Sequence, residues 1–166
     1  YGFRQIEENP VFYALADAFV LPSLWEEWGL VVNEAMACGL PVVVSETAGC
    51  AEDLLRPGWP ALPDHLAATV HHQLAKRGGR IRRNGFVFDP NSAESLTGAL
   101  LALESSSALR DIMGKASRLI VESVSCENFA RNALSAVHVA MGTDPIPSEN
   151  LVSAKKTAGL PSRLTR

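Results

Sequence analysis

Two short apolar runs constrain this chain more than anything else in it. Ala18 to Leu21 (AFVL) is stopped by Pro22, and Val42 to Val44 (VVV) follows the turn residues Leu40-Pro41. Neither run alternates with polar residues, which is the pattern of strands buried on both faces of a parallel sheet. Between them lie a polar, aromatic loop, SLWEEWG, and a helical stretch from Leu30 to Cys38 closed by Gly39. Parallel strands need such a crossover, and it is right-handed in nearly all known cases.

The rest of the chain extends the alternation. Residues 10–17 carry apolar side chains at helical spacing, Gly49 to Leu55 opens another short helix, and Gly85 to Phe88 is a third strand stopped by Asp89-Pro90. Asn91 or Ser92 caps the next helix, with Glu94 or Ser95 in a weak capping-box position. That helix runs to about residue 103. Two more follow, from Leu109 to about Val124 and from Cys126 to Met141, the first with a core-facing stripe of Leu109, Ile112, Met113, Ala116, Leu119 and Ile120. The expected fold class is α/β, a Rossmann-like parallel sheet with flanking helices. Residues 56–84 break the rhythm. A proline-rich turn, a helix over His65 to Lys76 and the arginine-rich RGGRIRRN predict a helical insertion with a mobile basic end. The domain is expected to span 1–141, with this insertion inside it and a disordered tail over 142–166, where prolines and polar residues show no periodicity.

Composition excludes several classes. Hydrophobic residues at 47% and charged residues at 20% are those of a globular protein, and no run reaches the ~18 apolar residues of a membrane span. Cys38, Cys50 and Cys126 give neither a disulfide framework nor zinc spacing, which suits a reducing, cytoplasmic setting. His65 and His72 are seven apart on one helix, with no cysteine nearby and a solvated helix as the ordinary reading, so no metal site is expected. The net charge of −3 hides an asymmetry: residues 1–55 carry −8 and residues 56–166 carry +5. An acidic first third excludes a nucleic-acid surface there. The bases Lys76, Arg77, Arg80, Arg82 and Arg83 are expected in a solvated loop, with an anionic acceptor or peripheral membrane contact as their functional use.

The chemistry concentrates in SLWEEWGLVVNEAMACGLPVVV (23–44). Glu26 stands in the loop after the first strand and Glu34 about one turn into the helix that follows. Open α/β sheets bind ligands at the carboxyl ends of their strands. Gly29 lets backbone approach a ligand, and the amides of Leu30, Val31 and Val32 are orphan donors at a helix start, where phosphate is favoured. An ionised carboxylate only accepts hydrogen bonds, so it suits paired sugar hydroxyls. Two carboxylates flanking such an amide nest fit a ligand with hydroxyls at both ends and phosphates between, the layout of a nucleotide sugar.

The stretch PSLWEEWGLVVNEAMACGLPVVVSETAGCAEDLL resembles the C-terminal donor-binding half of the retaining family 4 glycosyltransferases, of the GT-B fold, with their Glu-x7-Glu motif. Pro22, Ser23, Glu26, Trp28, Gly29, Leu30, Val31, Glu34, Ala35, Met36, Ala37, Gly39 and Pro41 match the family pattern; Gly49 with Glu52 resembles its glycine-rich turn, and Asn84-Gly85-Phe86 its Asn-Gly-hydrophobic strand. Ala48 replaces the first glycine of that turn and Glu27 adds an acid beside the site. The resemblance implies that Glu26 contacts the transferred sugar at the reaction centre. Trp28, Gly29, Leu30 and Val31 would line the sugar and diphosphate with backbone amides, and Glu34 would accept from the ribose. It implies transfer with retention, from a nucleotide-diphosphate sugar to an acceptor of unknown kind (glycan, lipid or small molecule), with no metal or other cofactor. The diphosphate-binding Arg and Lys, and the N-terminal acceptor domain, are expected upstream of Tyr1, so this chain alone is expected to be inactive. The alternative is a non-catalytic nucleotide-sugar-binding or scaffold domain, or a truncated remnant.

Overall fold

A computed structural model describes residues 2, 4–58, 60 and 62–143. The chain divides into two compact units, residues 1–123 and 124–166. The domain expected over residues 1–141 takes in the first unit and part of the second. The tail expected over 142–166 lies outside the described residues from position 144 onward.

In the first unit a short 3-10 turn leads into α1 (Asn9–Leu15). Then come β1 (Phe19–Leu21), α2 (Leu30–Ala37), β2 (Val42–Ser45), α3 (Cys50–Leu54), α4 (Asp64–Arg77), β3 (Arg80–Arg82), β4 (Gly85–Phe88), α5 (Ala93–Glu104) and α6 (Ser107–Ser123). The sheet order is β1-β2-β4-β3. β1 runs parallel to β2 with Phe19 opposite Val42, and β2 parallel to β4 with Val42 opposite Gly85. β3 is the antiparallel edge, with Ile81 opposite Phe86.

β2 is buried along its whole length, as a central strand must be. Its side chains alternate between faces. Val42 and Val44 join Val32, Ala35 and Met36 of α2 and Ala51 and Leu54 of α3 in one apolar cluster. Val43 joins Phe86, Phe88, Val70, Ala99, Ala102 and Leu103 in the other. Helices therefore cover both faces. β1, expected to be buried, is half-buried, with one strand partner, β2, among the described residues.

Helix ends follow the sequence signals. Gly39 and Leu40 donate their N–H groups to the carbonyls of Met36 and Ala35, at 2.9 and 3.1 Å, which closes α2 in a Schellman motif. Ser92 is the cap of α5: its Oγ accepts from the Ser95 N–H at 3.1 Å. Two arginines of α6 satisfy carbonyls at other helix ends. Arg110 Nη1 donates to Leu103 O at 2.7 Å and Arg118 Nη2 to Cys38 O at 3.1 Å.

RGGRIRRN, expected as a mobile basic end, is folded instead. Its Arg80–Arg82 segment pairs with β4, and Ile81 is buried. Val70 of α4 is also buried, so residues 56–84 supply both a sheet edge and part of the second cluster. The apolar positions Val70 and Ile81 outweigh the local charge in deciding where this segment goes.

The second unit holds α7 (Cys126–Ala140), capped by Ser125, whose Oγ accepts from the Asn128 N–H at 3.1 Å. None of the α7 side chains is buried. Among the described residues no helix is long and apolar enough to cross a membrane.

Candidate active site

The loops after β1 and β2 leave neighbouring parallel strands at the same, carboxyl, end of the sheet. They are tied to each other. The Gly49 N–H donates to Glu26 O at 2.9 Å, the Cys50 N–H to Trp28 O at 3.3 Å, and Thr47 Oγ1 to Ser23 O at 3.1 Å. Glu26 and Ala48 form a parallel bridge. The backbone of the Glu26 loop is thus held by a second loop rather than by its own turn.

Glu26 itself is half-buried, and its Oε1 accepts from the Trp28 N–H at 3.3 Å. That amide, expected to face a ligand, is turned to the neighbouring carboxylate. The Trp28 ring packs against the first apolar cluster, and its Nε1–H donates to Asn33 Oδ1 at 3.1 Å. Gly29 is buried and left-handed at φ 89°, and a Cβ there would lie 2.9 Å from Leu21 Cδ2. The left-handed turn by itself calls for glycine at 29, alongside the ligand approach expected there.

α2 begins at Leu30 with no side-chain cap on its amino end. The side chains of Leu30 and Val31 are exposed there, and those of Leu24 and Trp25 on the preceding loop are exposed too, Trp25 at 82%. An uncapped helix start presents N–H donors and the positive end of the helix dipole.

Glu34 is half-buried and already engaged. Tyr13 Oη donates to its Oε2 at 2.8 Å and Asn9 Nδ2 to the same oxygen at 3.3 Å. Both donors come from α1. Nothing in the spacing of Asn9 and Tyr13 linked them to Glu34 in the sequence; their only signal was the i, i+4 separation that puts them on one helix face. Arg80, expected in a solvated loop, is placed on the sheet edge instead. From β3 it reaches Glu46 at 3.4 Å and Glu52 at 3.8 Å, which brings a cation to the loop after β2.

Burial pushes the Tyr13 phenol up to about 12, with the hydrogen bond to Glu34 and its charge adding to the effect. Burial likewise pushes the Cys50 thiol up to about 11, and the Glu26 and Asp53 charges add to it against a backbone hydrogen bond. Below about pH 8 both groups are mostly protonated in the folded and unfolded chains alike. Above it the unfolded chain releases protons that the native state retains, so stability is lost as pH rises through 11 and 12. Urea midpoints at pH 8, 9.5 and 11 are expected to fall in that order, and the fall above pH 10 should be shallower in Tyr13→Phe. A flat profile would show that neither group is held protonated.

A cavity of about 460 Å³ lies at the amino ends of β1 and β2, opposite the Glu26 loop, between Asp17, Pro41 and the α6 residues Arg110, Gly114 and Arg118. Its arginines are committed to the helix-end carbonyls described above, and Arg110 Nε also pairs with Asp17 at 3.3 Å.

A mostly parallel sheet covered by helices, with acidic loops and an uncapped helix start at its carboxyl end, is a Rossmann-like α/β arrangement of the GT-B type. Residues 1–106 match the family described as glycosyl transferases group 1, and the chain belongs to that family. It is 40% identical over 73 residues to the O-antigen chain mannosyltransferase B of Escherichia coli, which is 44% of this chain and 19% of that protein. It is 34% identical over 117 residues to a sulfoquinovosyl transferase of Arabidopsis thaliana, covering 70% of this chain and 19% of the relative. A D-inositol 3-phosphate glycosyltransferase of Pseudarthrobacter chlorophenolicus is 28% identical over 134 residues, covering 81% of this chain and 26% of the relative. The sucrose-phosphate synthase structure from Thermosynechococcus elongatus superposes with a TM-score of 0.57 at 25% identity, over 93% of this chain and 30% of that one. The chain thus spans about a fifth to a third of the length of these proteins.

Proposed function

We propose that this chain is the donor half of a retaining glycosyltransferase, which moves a sugar from a nucleotide diphosphate to an acceptor held by a separate N-terminal domain. The observation that carries the reading is the uncapped start of α2 between Glu26 on its entry loop and Glu34 one turn inside it. The amides of Leu30 and Val31 face the diphosphate. Glu34 accepts from the ribose hydroxyls through the oxygen that Tyr13 and Asn9 leave open, and Glu26 meets the transferred sugar. Charge on the leaving diphosphate is stabilised by protein donors rather than by a metal or cofactor. Family membership and the names of the relatives support sugar transfer, and they support several sugars equally. The chain on its own binds nucleotide weakly and does not turn over, and the active protein works at the cytoplasmic side.

The test is a 15N NMR titration of the chain with UDP, GDP and ADP. The amides of Leu30 and Val31 are expected to move first, and Glu34→Ala is expected to weaken binding about tenfold, the scale of hydrogen bonds to a charged group. Shifts centred on Gly39 and Gly114, at the opposite end of the sheet, would place the ligand elsewhere and overturn the reading. Product stereochemistry, followed by proton NMR in the longer enzyme, decides retention.

A further inference from the structure

We infer that Tyr13 is a positioning residue for the ribose end of the donor: by donating to Glu34 Oε2 it fixes the carboxylate so that Oε1 faces the ribose hydroxyls. The inference rests on the reading of Glu34 as the ribose acceptor and adds to it a residue that touches no substrate.

The geometry is one-sided. Among the described residues, the side-chain donors to Glu34 are Tyr13 at 2.8 Å and Asn9 at 3.3 Å, and both fall on Oε2. A glutamate side chain is long and has several rotatable bonds, so a ligand that must order it loses affinity to that ordering. Here the ordering is done in advance by α1.

Tyr13 is itself well anchored. Its ring meets Phe19 of β1 edge-on, with centroids 6.0 Å apart and planes at 67°, and it packs against the first apolar cluster. α1 begins at Asn9 with Pro10 in its first turn, which presets the helix start and places Asn9 and Tyr13 on one face. The chain of support therefore runs from β1 to Tyr13 to the Glu34 carboxylate. The Tyr13 phenol, held protonated up to about pH 12, remains a donor throughout the physiological range.

The experiment compares two ligands on four chains. Of UDP, GDP and ADP, the one bound most tightly is titrated alongside its 2′,3′-dideoxy analogue. The four chains are the parent, Glu34→Ala, Tyr13→Phe and the double variant. The readout is the ratio of ribose to dideoxyribose affinity, which a loss of packing does not move. Glu34→Ala is expected to bring the ratio to one. Tyr13→Phe keeps the ring and loses the donor; it is expected to lower the ratio about three- to tenfold, with the dideoxy affinity unchanged. In the double variant Tyr13→Phe should add nothing. If Glu34→Ala abolishes the ratio but Tyr13→Phe leaves it intact, or lowers both affinities equally, the positioning role is overturned while the ribose reading stands. If Glu34→Ala retains the parent's ratio, or the parent binds none of the three nucleotides, the ribose reading itself fails and the inference falls with it.

Discussion

Gly85→Ala is expected to cost the first unit about 3 kcal/mol or more, the upper end of what overpacking does to a core. A Cβ at position 85 would sit 1.8 Å from Val42 O, within the β2–β4 ladder itself. No side-chain rotamer relieves that contact, because the obstructing atom is backbone. The strands must separate or slip, and a slip by one residue would send Val43 and Phe86 to the wrong cluster. Against a total of about 5–15 kcal/mol for a typical domain, such a loss lowers a melting midpoint by roughly 10 °C. Circular dichroism melts of the parent and variant check it. A midpoint within 2 °C of the parent would mean that Val42 and Gly85 are not in register.

Gly85 also shows how far the sequence could be read. The Asn-Gly-hydrophobic pattern was visible as a family resemblance, but its cause was not. Asn84 Nδ2 donates to Leu54 O at 3.1 Å from a buried position, tying the end of α3 to the start of β4, and Gly85 leaves room for Val42. Both are long-range contacts, which periodicity cannot see. The three parallel strands and α2 were legible because each is a short apolar run or a helical repeat bounded by Pro or Gly. β3 was not legible. Three residues with two arginines carry no strand signal, and only pairing with β4 makes one.

The site divides along the same line. Glu26, Gly29 and Glu34 stand in one contiguous stretch, and their placement at the carboxyl end of the sheet followed from the order of elements. What holds them came from elsewhere in the chain: Gly49 and Thr47 from the loop after β2, and Asn9 and Tyr13 from α1. The charge asymmetry is altered too. Arg80, counted with the basic remainder, pairs with Glu46 and Glu52 of the acidic third. Exposed pairs of this kind contribute only ~0–1 kcal/mol, so they offset local repulsion without settling what neutralises a bound diphosphate.

On the proposed reading, Glu26→Ala in a full-length glycosyltransferase carrying this domain is expected to lower kcat about 10²- to 10³-fold, the cost of removing one preorganised group from a reacting centre. The donor KM should change by less than threefold. On the proposed reading the two glutamates are thereby separated, since Glu34 would act on a part of the donor that does not react and its loss would belong in KM. A tethered backbone supports this role for Glu26. Three cross-loop hydrogen bonds and the bridge to Ala48 fix the backbone that carries it, so its position does not depend on ligand. Glu26→Gln keeps the shape and removes the charge. A Gln variant as slow as Ala would assign the effect to charge, and one near the parent would assign it to hydrogen bonding. If Glu26→Ala instead raised KM with kcat intact, Glu26 would be a binding group, and the reaction centre would have to be sought elsewhere along the α2 entry loop.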